Sequence, residues 1–236
     1  MAHYAEAAEY YDLLYRSRKD YAAEVRQLAW VIRTRNPDAR RVLDVGCGTG
    51  AHARALLDAG FDVDGVDLEP AFVEIAARKC PEGRFRVADM LLLDAEERYD
   101  VVTCLFSAIG YVRTVDGLRE AVRRMACLLA PGGMLLVDPW FEPGQLTPGW
   151  INTLVGEEDG LSVCRMSRTV VDGRVSHLEF EYLIGRSEGI ERRSERHELG
   201  LFTQAEMEEA FERAGLAVER RPDSLRTRGL YVGWHA

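Results

Sequence analysis

A glycine-rich segment, Asp44-Val45-Gly46-Cys47-Gly48-Thr49-Gly50, joins a short apolar run at 41–45 to a helix-like run at 49–59. Glycines at alternate positions let the backbone turn sharply and approach a ligand closely. The spacing is G-x-G-x-G, and the last position of a dinucleotide G-x-G-x-x-G would be Ala51. Because such a loop lies at the carboxyl end of the first strand in open α/β sheets, the segment predicts a ligand site there.

Apolar and amphipathic runs alternate through the first half of the chain. A helix at 20–34, capped by Asp20, comes first. The predicted strands are 41–45, 61–66, 84–88, 99–106 and 134–138, and the predicted helices between them are 49–59, 70–79 and 115–129. Alternating strands and helices predict an α/β fold, with a parallel sheet flanked by helices.

The pattern changes after Pro139. A loop rich in Pro and Gly runs to 149, and Asp172-Gly173 predicts a hairpin between strands 161–171 and 174–184. A third antiparallel strand at 190–202, a helix from Thr203 to Ala214 and two strands at 217–221 and 230–234 complete the prediction. We therefore divide the chain into an N-terminal lid and helix (1–36), an α/β core (37–149), a small antiparallel insertion on the substrate side (150–200) and the end of the core sheet (201–236).

Composition excludes several classes of protein. The 236 residues carry 39 acidic and 30 basic side chains, a formal net charge of −9, which argues against nucleic acid or an anionic membrane as a partner. The chain has no apolar run of membrane-helix length and no signal-peptide pattern at its start. Its five scattered cysteines, never spaced C-x-x-C, predict mostly buried free thiols, and no metal-site spacing occurs. We expect a cytoplasmic protein without a metal.

Acidic residues follow successive predicted strands. Asp67 ends the second strand, Asp89 follows the third, and Asp138 ends the fifth. Since the carboxyl ends of parallel strands share one edge, these acids suit a ligand with a ribose, a base and an ammonium group. Asp67 can accept both ribose hydroxyls, while Asp89 with Met90 can hold an adenine. Asp44 and the backbone of the loop at Gly46 and Gly48 can face an amino-acid end.

This set of residues resembles the class I S-adenosylmethionine-dependent methyltransferases. The resemblance covers residues 40–140 and implies a Rossmann-like seven-stranded sheet whose last strand is antiparallel. S-adenosylmethionine would be the cofactor and S-adenosylhomocysteine its product.

The whole chain also resembles the N,N-dimethyltransferases that act on nucleotide-linked amino sugars in macrolide biosynthesis, the desosamine and mycaminose type. The shared segments are Tyr11-Asp12-Leu13, Lys19-Asp20-Tyr21, Phe106-Ser107-Ala108-Ile109-Gly110-Tyr111, Pro139-Trp140, Leu201-Phe202 and Arg228-Gly229-Leu230-Tyr231-Val232-Gly233. The chain departs from the family at Asp67, where Glu is more usual, and in the stretches Asp138–Gly144 and Leu225–Thr227.

This closer resemblance implies two groups of site residues. The cofactor would contact Tyr11, Gly46, Asp67, Asp89, Met90 and Leu105, and the sugar nucleotide would contact Tyr4, Tyr21, Tyr111, Trp140 and Arg228. Tyr111 is expected nearest the acceptor nitrogen, as an orienting hydrogen-bond partner. Arg168 and Arg226 are further candidates for the cations that a diphosphate needs.

Other functions stay open at this point. An O- or C-methyltransferase of another metabolite would use the same cofactor residues. An NAD-dependent oxidoreductase is disfavoured by the missing third glycine position and by the lack of a Tyr-x-x-x-Lys pair, and a non-catalytic binding module could retain the loop. A monomer and a homodimer both agree with the sequence.

Overall fold

The computed structural model of the chain describes residues 8–94, 97–222, 224–226 and 228–235, and it builds them into two β-sheets with flanking helices. The strands are β1 (Arg41–Val45), β2 (Asp62–Asp67), β3 (Phe85–Val87), β4 (Tyr99–Cys104), β5 (Leu129–Val137), β6 (Ile151–Glu158), β7 (Leu161–Asp172), β8 (Val175–Arg186), β9 (Gly189–Gly200), β10 (Leu216–Arg221) and β11 (Leu230–His235). The helices are α1 (Ala8–Tyr15), α2 (Tyr21–Arg35), α3 (Ala51–Asp58), α4 (Pro70–Lys79), α5 (Val115–Cys127) and α6 (Gln204–Arg213).

The larger sheet has seven strands in the order β10-β11-β5-β4-β1-β2-β3. Strands β1 to β5 pair in parallel, whereas β11 is antiparallel to both β5 and β10. This arrangement confirms the predicted α/β fold with its antiparallel last strand. The parallel pairing brings the carboxyl ends of β1, β2 and β4 to one edge, where the glycine-rich loop begins.

Apolar cores cover both faces of this sheet. One core packs Leu118 of α5 and Phe211 of α6 against the strands, and the other packs Leu28 of α2 and Leu56 of α3 against the opposite face. Because both faces are covered, the central strands β1 and β4 are mostly apolar, as is usual in parallel sheets. The same burial explains why the apolar pattern predicts these two strands, whereas β2 (DVDGVD) alternates buried valines with acidic residues.

The smaller sheet is antiparallel, in the order β6-β7-β8-β9, and so has four strands where we predicted three. The sequence pattern does not reveal β6, because only Leu154 and Gly156 of this edge strand are buried, which leaves a weak alternation. Helix α1 lies in the segment 1–36 that we predicted as a lid and helix. Its buried face, Tyr10, Leu13 and Leu14, packs on the inner face of this sheet, so tertiary contacts stabilise this short helix.

Two boundaries in the core also differ from the prediction. Strand β4 ends at Cys104, two residues early, because Phe106 and Ser107 take left-handed backbone conformations with φ of 52° and 64°. Strand β5 starts at Leu129, five residues before the predicted strand 134–138, because residues 129–133 belong to an irregular ladder with β4. Of the free cysteines, Cys47, Cys80 and Cys104 are buried as expected, whereas Cys127 is exposed.

The glycine-rich loop packs too closely for a side chain at Gly46. Gly46 has φ of +73°, and a Cβ atom there would lie 2.6 Å from Cβ of Ala108. We expect Gly46→Ala to lower the free energy of unfolding by about 2–3 kcal/mol, the sum of left-handed strain and overpacking. Urea denaturation of the ligand-free protein measures this loss.

Gly132→Ala is the matched control for this substitution. Gly132 has φ of +75°, but a Cβ atom added there would meet no other atom within 4 Å. It should therefore lose only the strain contribution, about 1 kcal/mol. Equal losses for the two variants would show that contact with Ala108 is unimportant.

Candidate functional site

Asp44 lies at the carboxyl end of β1 and is almost fully buried. Its Oδ1 accepts a hydrogen bond of 2.8 Å from Oγ1 of Thr103 on β4. Burial raises the pKa of Asp44, and the nearby carboxylate of Asp67 adds to this effect. The parallel register, which places Asp44 opposite Thr103, therefore holds a desolvated carboxylate directly before the glycine-rich loop.

Asp67 ties the end of β2 to the glycine-rich loop. Its Oδ2 accepts a hydrogen bond of 2.8 Å from the amide of Gly48, and its Oδ1 accepts one of 2.9 Å from the amide of Glu69. Burial raises the pKa of Asp67 as well. A carboxylate oxygen can accept two hydrogen bonds, so Asp67 keeps acceptor capacity for the two hydroxyls of a ribose.

Apolar and polar groups suited to a flat base lie beside Asp67. Asp89 caps the short turn Met90–Leu92, with Oδ1 accepting a hydrogen bond of 2.9 Å from the amide of Leu91. Met90 is half-buried against the core, whereas the Leu68 side chain is 60% exposed directly after Asp67. Leu68 was not among the predicted site residues, although a large apolar residue after an acidic strand end was a usable signal.

Helix α1 is fastened to the glycine-rich loop by Asp12. Its carboxylate accepts a hydrogen bond of 2.6 Å from Oγ1 of Thr49 and one of 2.6 Å from Nζ of Lys79. These contacts bring Tyr11 next to the loop, where its ring centroid lies 5.2 Å from that of Phe72. Tyr11 thus lies beside the loop, and Asp12 is an organising residue to which the sequence pattern assigned no role.

The turn after β4 has a strained backbone, and the ammonium group of Lys19 lies against one of its aromatic rings. The side chain of Leu105 is 3% exposed and packs in the core on the α2 and α3 side of the sheet. Phe106 and Ser107 follow in left-handed conformations, which are costly for residues with side chains. Nζ of Lys19 lies 3.7 Å from the ring centroid of Phe106.

Lys19 is a buried cation to which the sequence pattern gave no role. Its Nζ forms an ion pair of 3.0 Å with Glu24, which is also 2.8 Å from Nε2 of His52. Burial lowers the pKa of Lys19, while Glu24 and Asp138 act in the opposite direction. Tyr21 packs edge-on against His52, with ring centroids 4.8 Å apart.

Arg228 and Trp140 meet on the other side of this strand edge. Nε of Arg228 donates to the carbonyl of Pro139 at 3.0 Å, and Nη2 donates to Oγ of Ser107 at 2.6 Å. The guanidinium carbon lies 5.0 Å from the Trp140 ring and 4.7 Å from the Phe141 ring. Burial lowers the pKa of Arg228, and the charge of Asp138 opposes this. Asp138 thus acts on both Arg228 and Lys19.

Tyr111 lies in the short turn Ala108–Val112 that follows β4. Its hydroxyl is 3.2 Å from Nδ1 of His197 on β9, and Nε2 of His197 is 3.3 Å from Oε2 of Glu195. The inner face of the smaller sheet therefore backs the residue that we expect nearest the acceptor. Neither His197 nor Glu195 was assigned a role from the sequence.

One predicted residue, Arg168, is not brought to this site. Arg168 points away from it, on the outer face of the smaller sheet, where its side chain is 59% exposed and paired with Glu179 at 3.2 Å. The strand alternation decides this, because the neighbouring Ser167 and Thr169 take the inner positions. Tyr4 and the side chain of Arg226 lie outside the described residues.

The described ranges contain neither a metal-binding cluster nor a membrane-spanning helix. No group of three or more His, Cys, Asp or Glu residues in them has the geometry to hold a metal ion. Among the helices in the same ranges, none combines the length and the apolar character needed to span a membrane.

Comparisons with known proteins agree with this geometry. A methyltransferase-domain profile matches residues 42–133. The dTDP-4-amino-2,3,4,6-tetradeoxy-D-glucose N,N-dimethyltransferase of Saccharopolyspora spinosa is 38% identical over 227 residues, covering 96% of this chain and 91% of the relative. The chain belongs to the family of dTDP-amino-sugar N,N-dimethyltransferases. It is an S-adenosylmethionine-dependent methyltransferase.

Solved structures of the family match the whole of this methyltransferase. DesVI of Streptomyces venezuelae superposes with a TM-score of 0.92 at 36% identity, covering 98% of each chain. CalS10 of Micromonospora echinaspora, an amino pentose methyltransferase solved with bound S-adenosylmethionine, gives a TM-score of 0.86 at 37% identity and covers 96% of each chain. The matches include the smaller sheet, so the resemblance to this family seen in the sequence is confirmed.

The buried charge of Asp44 predicts a pH-dependent cost to stability. Because burial raises its pKa, the native protein binds this proton more tightly than the unfolded chain does. The carboxylate therefore destabilises the fold above the unfolded pKa of about 3.9, and the full cost is reached once pH exceeds the native pKa. We expect Asp44→Asn to raise the free energy of unfolding at neutral pH by on the order of 1 kcal/mol and to give no gain near pH 4.

Urea denaturation of the ligand-free enzyme across this pH range measures the gain. Asp62→Asn, at an exposed position of the same sheet, is the control for the loss of a carboxylate without burial. A gain for Asp44→Asn of the same size at acidic and neutral pH would rule out the buried charge as its source.

Proposed function

We propose that this enzyme methylates the amino group of a nucleotide-diphosphate-linked amino sugar, carrying the nitrogen through to the N,N-dimethyl form. The observation that carries the proposal is the pair of largely buried cations, Lys19 and Arg228, which pack against aromatic rings at the same strand edge as the acidic cofactor residues. Buried cations close to aromatic rings suit a diphosphate that carries a planar base.

The residues at the loop edge fit S-adenosylmethionine. Asp67 retains acceptor capacity for the ribose, while Leu68 and Met90 offer apolar surface and Asp89 offers a carboxylate for adenine. Asp44 and the backbone at Gly46 and Gly48 face the position of an amino-acid group, and Tyr11 covers the loop; Leu105 contributes through its backbone. When bound, S-adenosylmethionine supplies a methyl group activated by its sulfonium.

The other side of the strand edge fits the acceptor. Arg228, stacked near Trp140 and Phe141, is the residue that we assign to the diphosphate, with Lys19 as a second cation. Tyr21, at the start of α2, lines the side that Lys19 occupies. Tyr111 orients the acceptor nitrogen through its hydroxyl.

The contribution of these residues to the reaction is alignment. Holding an amine nitrogen in line with an activated methyl group converts a bimolecular encounter into a unimolecular step, which can lower the barrier by several kcal/mol. Once the amine is neutral it is nucleophilic enough to attack the methyl group, so orientation by Tyr111 and exclusion of water serve the transfer step itself. We propose that the reaction takes place in the cytoplasm and uses no metal.

An assay against three acceptors tests this function. The first is dTDP-4-amino-2,3,4,6-tetradeoxy-D-glucose, the second its 4-hydroxy counterpart, and the third the amino sugar without nucleotide. We expect two methyl groups on the first by mass spectrometry, none on the second, and a kcat/KM for the third lower by about 100-fold, because the binding energy of the nucleotide is lost. The corresponding 3-amino nucleotide sugar is also assayed, because the enzyme can require the amine at carbon 3 instead of carbon 4.

The outcomes of this assay separate the alternatives. Methylation of the hydroxyl compound would indicate an O-methyltransferase. Failure to methylate either nucleotide amino sugar, with S-adenosylmethionine binding intact by calorimetry, would contradict the proposed acceptor.

Arg228 provides a residue-level test of the diphosphate assignment. We expect Arg228→Ala to raise KM for the nucleotide sugar about tenfold or more, because a charged hydrogen-bond partner is lost, and to leave the Kd for S-adenosylmethionine unchanged. Arg168→Ala, on the exposed outer face of the smaller sheet, is the matched control and should leave KM unchanged. An unchanged KM for Arg228→Ala would mean that another group holds the diphosphate.

A further inference from the structure

A buried chain of hydrogen bonds leads from Tyr111 into the smaller sheet. The Tyr111 hydroxyl lies 3.2 Å from Nδ1 of His197, Nε2 of His197 lies 3.3 Å from Oε2 of Glu195, and the Tyr182 hydroxyl donates to the same Oε2 at 3.0 Å. The side chains of His197 and Glu195 are 0% and 2% exposed. Tyr111, at the edge of the sheet, connects this chain to the acceptor side.

The chemistry of Glu195, His197 and Tyr111 assigns the donor and the acceptor in each hydrogen bond. A carboxylate only accepts hydrogen bonds, so Nε2 of His197 must carry the hydrogen that points to Glu195. In a neutral imidazole the other nitrogen, Nδ1, is then an acceptor, and the Tyr111 hydroxyl donates to it. Because a hydroxyl oxygen has two lone pairs, the Tyr111 oxygen can in turn accept an N–H group from the substrate side.

Proton balance creates a need for such an acceptor. Alkyl amines are mostly protonated at neutral pH, and an ammonium nitrogen has no lone pair with which to attack a methyl group. Each methyl transfer to an amine also leaves the product nitrogen cationic, so a second methylation requires that a proton be lost first. One proton must therefore leave the nitrogen for every methyl group added.

We propose that His197 accepts the proton of the substrate ammonium through Tyr111. This inference rests on the proposed function, since it requires an amine acceptor. The ammonium N–H bond breaks and its proton joins the Tyr111 oxygen, while the hydroxyl proton of Tyr111 moves to Nδ1 of His197. The freed nitrogen lone pair then forms the N–CH3 bond as the CH3–S bond breaks, and the proton returns through Tyr111 after the product leaves.

Charged and aromatic side chains surround His197. Glu195 supplies a buried negative charge, and its Oε1 receives no hydrogen bond from the described residues. The Phe180 ring, 4.8 Å from the imidazole between centroids, presents π-electrons to a cation. Arg165 on β7 is the opposing positive charge; its guanidinium carbon lies 4.4 Å from the Phe180 ring, and it donates to the Tyr15 hydroxyl at 3.1 Å.

His197 acts through Tyr111, so it is a positioning residue, and its test must separate proton acceptance from support of the tyrosine. In His197→Asn the side chain can still offer an oxygen near the place of Nδ1 but cannot take up a proton. We expect His197→Asn to lower the single-turnover methylation rate near pH 7 by about 100-fold, a size usual for general base catalysis. Near pH 9.5 the substrate amine is largely neutral, so the deficit should shrink to about threefold or less.

Companion variants keep this test decisive if His197→Asn folds poorly. Glu195→Gln removes the negative charge with little change of shape and should show a deficit that shrinks as pH rises. Tyr111→Phe breaks the same chain at its first link and also removes the orienting hydroxyl, so its deficit should shrink only in part. His177→Asn is the matched control, because this histidine lies on β8 and pairs with Arg196 and Glu198 away from Tyr111. Its rate should equal that of the wild-type enzyme at every pH.

The tautomer of His197 provides a readout that does not depend on activity. Nitrogen NMR of the ligand-free enzyme, assigned by loss of the signal in His197→Asn, should show a protonated Nε2 and an unprotonated Nδ1. The opposite tautomer would overturn the inference, because Nδ1 could not then accept a proton from Tyr111.

The kinetic outcomes distinguish the role of His197 from the proposed function. Suppose that the wild-type enzyme methylates a nucleotide amino sugar, but that the rate loss in His197→Asn is absent or is the same at every pH. That result would overturn the role of His197 and leave the proposed function intact. Absence of wild-type turnover would overturn the proposed function, and the role of His197 would fall with it.

Discussion

The parallel register of β1 with β2 and β4 is the constraint on which the site depends. It sets Asp44 opposite Gly65 on one neighbouring strand and opposite Thr103 on the other, so the three strands end at one edge. The hydrogen bond from the Gly48 amide to Asp67 then fixes the path of the glycine-rich loop across that edge. The strand ends and the loop form one rigid frame, and the remaining site residues are placed relative to it.

The smaller sheet completes the site by packing on the turn after β4. A Cβ atom at Gly110 would lie only 3.0 Å from the Leu199 side chain, so glycine allows β9 to approach this turn closely. The close approach brings His197 against Tyr111, and the buried hydrogen bond between the Tyr111 hydroxyl and Nδ1 of His197 links the smaller sheet to the turn after β4. Helix α1 seals the opposite end, since it packs on the inner face of the smaller sheet and is bonded to the loop through Asp12.

Electrostatics divide the strand edge into two halves. Asp44 and Asp67 are desolvated acids near the loop. Lys19 and Arg228 are desolvated cations, and the negative charge of Asp138 raises the pKa of both. The net charge of −9 is thus a poor guide to the acceptor. Local burial, rather than the overall balance, decides which charged groups a ligand would meet.

The amino-acid sequence alone was enough to predict the larger sheet, its parallel core and the acidic residues at its strand ends. These features are encoded locally, in apolar runs, helix caps and glycine spacing, so Asp44, Asp67 and Asp89 could be named from the chain itself. The pairing of residues distant in sequence depends on the tertiary structure. Lys19 above Phe106, Asp12 on Thr49 and His197 behind Tyr111 join segments that are 37 to 87 residues apart, and their contacts have no local signature.

The same distinction explains the errors. The alternation of side chains along β7 places Arg168 on the exposed face, and the residue type alone does not reveal this. Helix α1 is short and depends on its packing against the smaller sheet. Local patterns describe what each segment can form. Which segments meet depends on the burial of whole faces, and that is settled only when the chain folds.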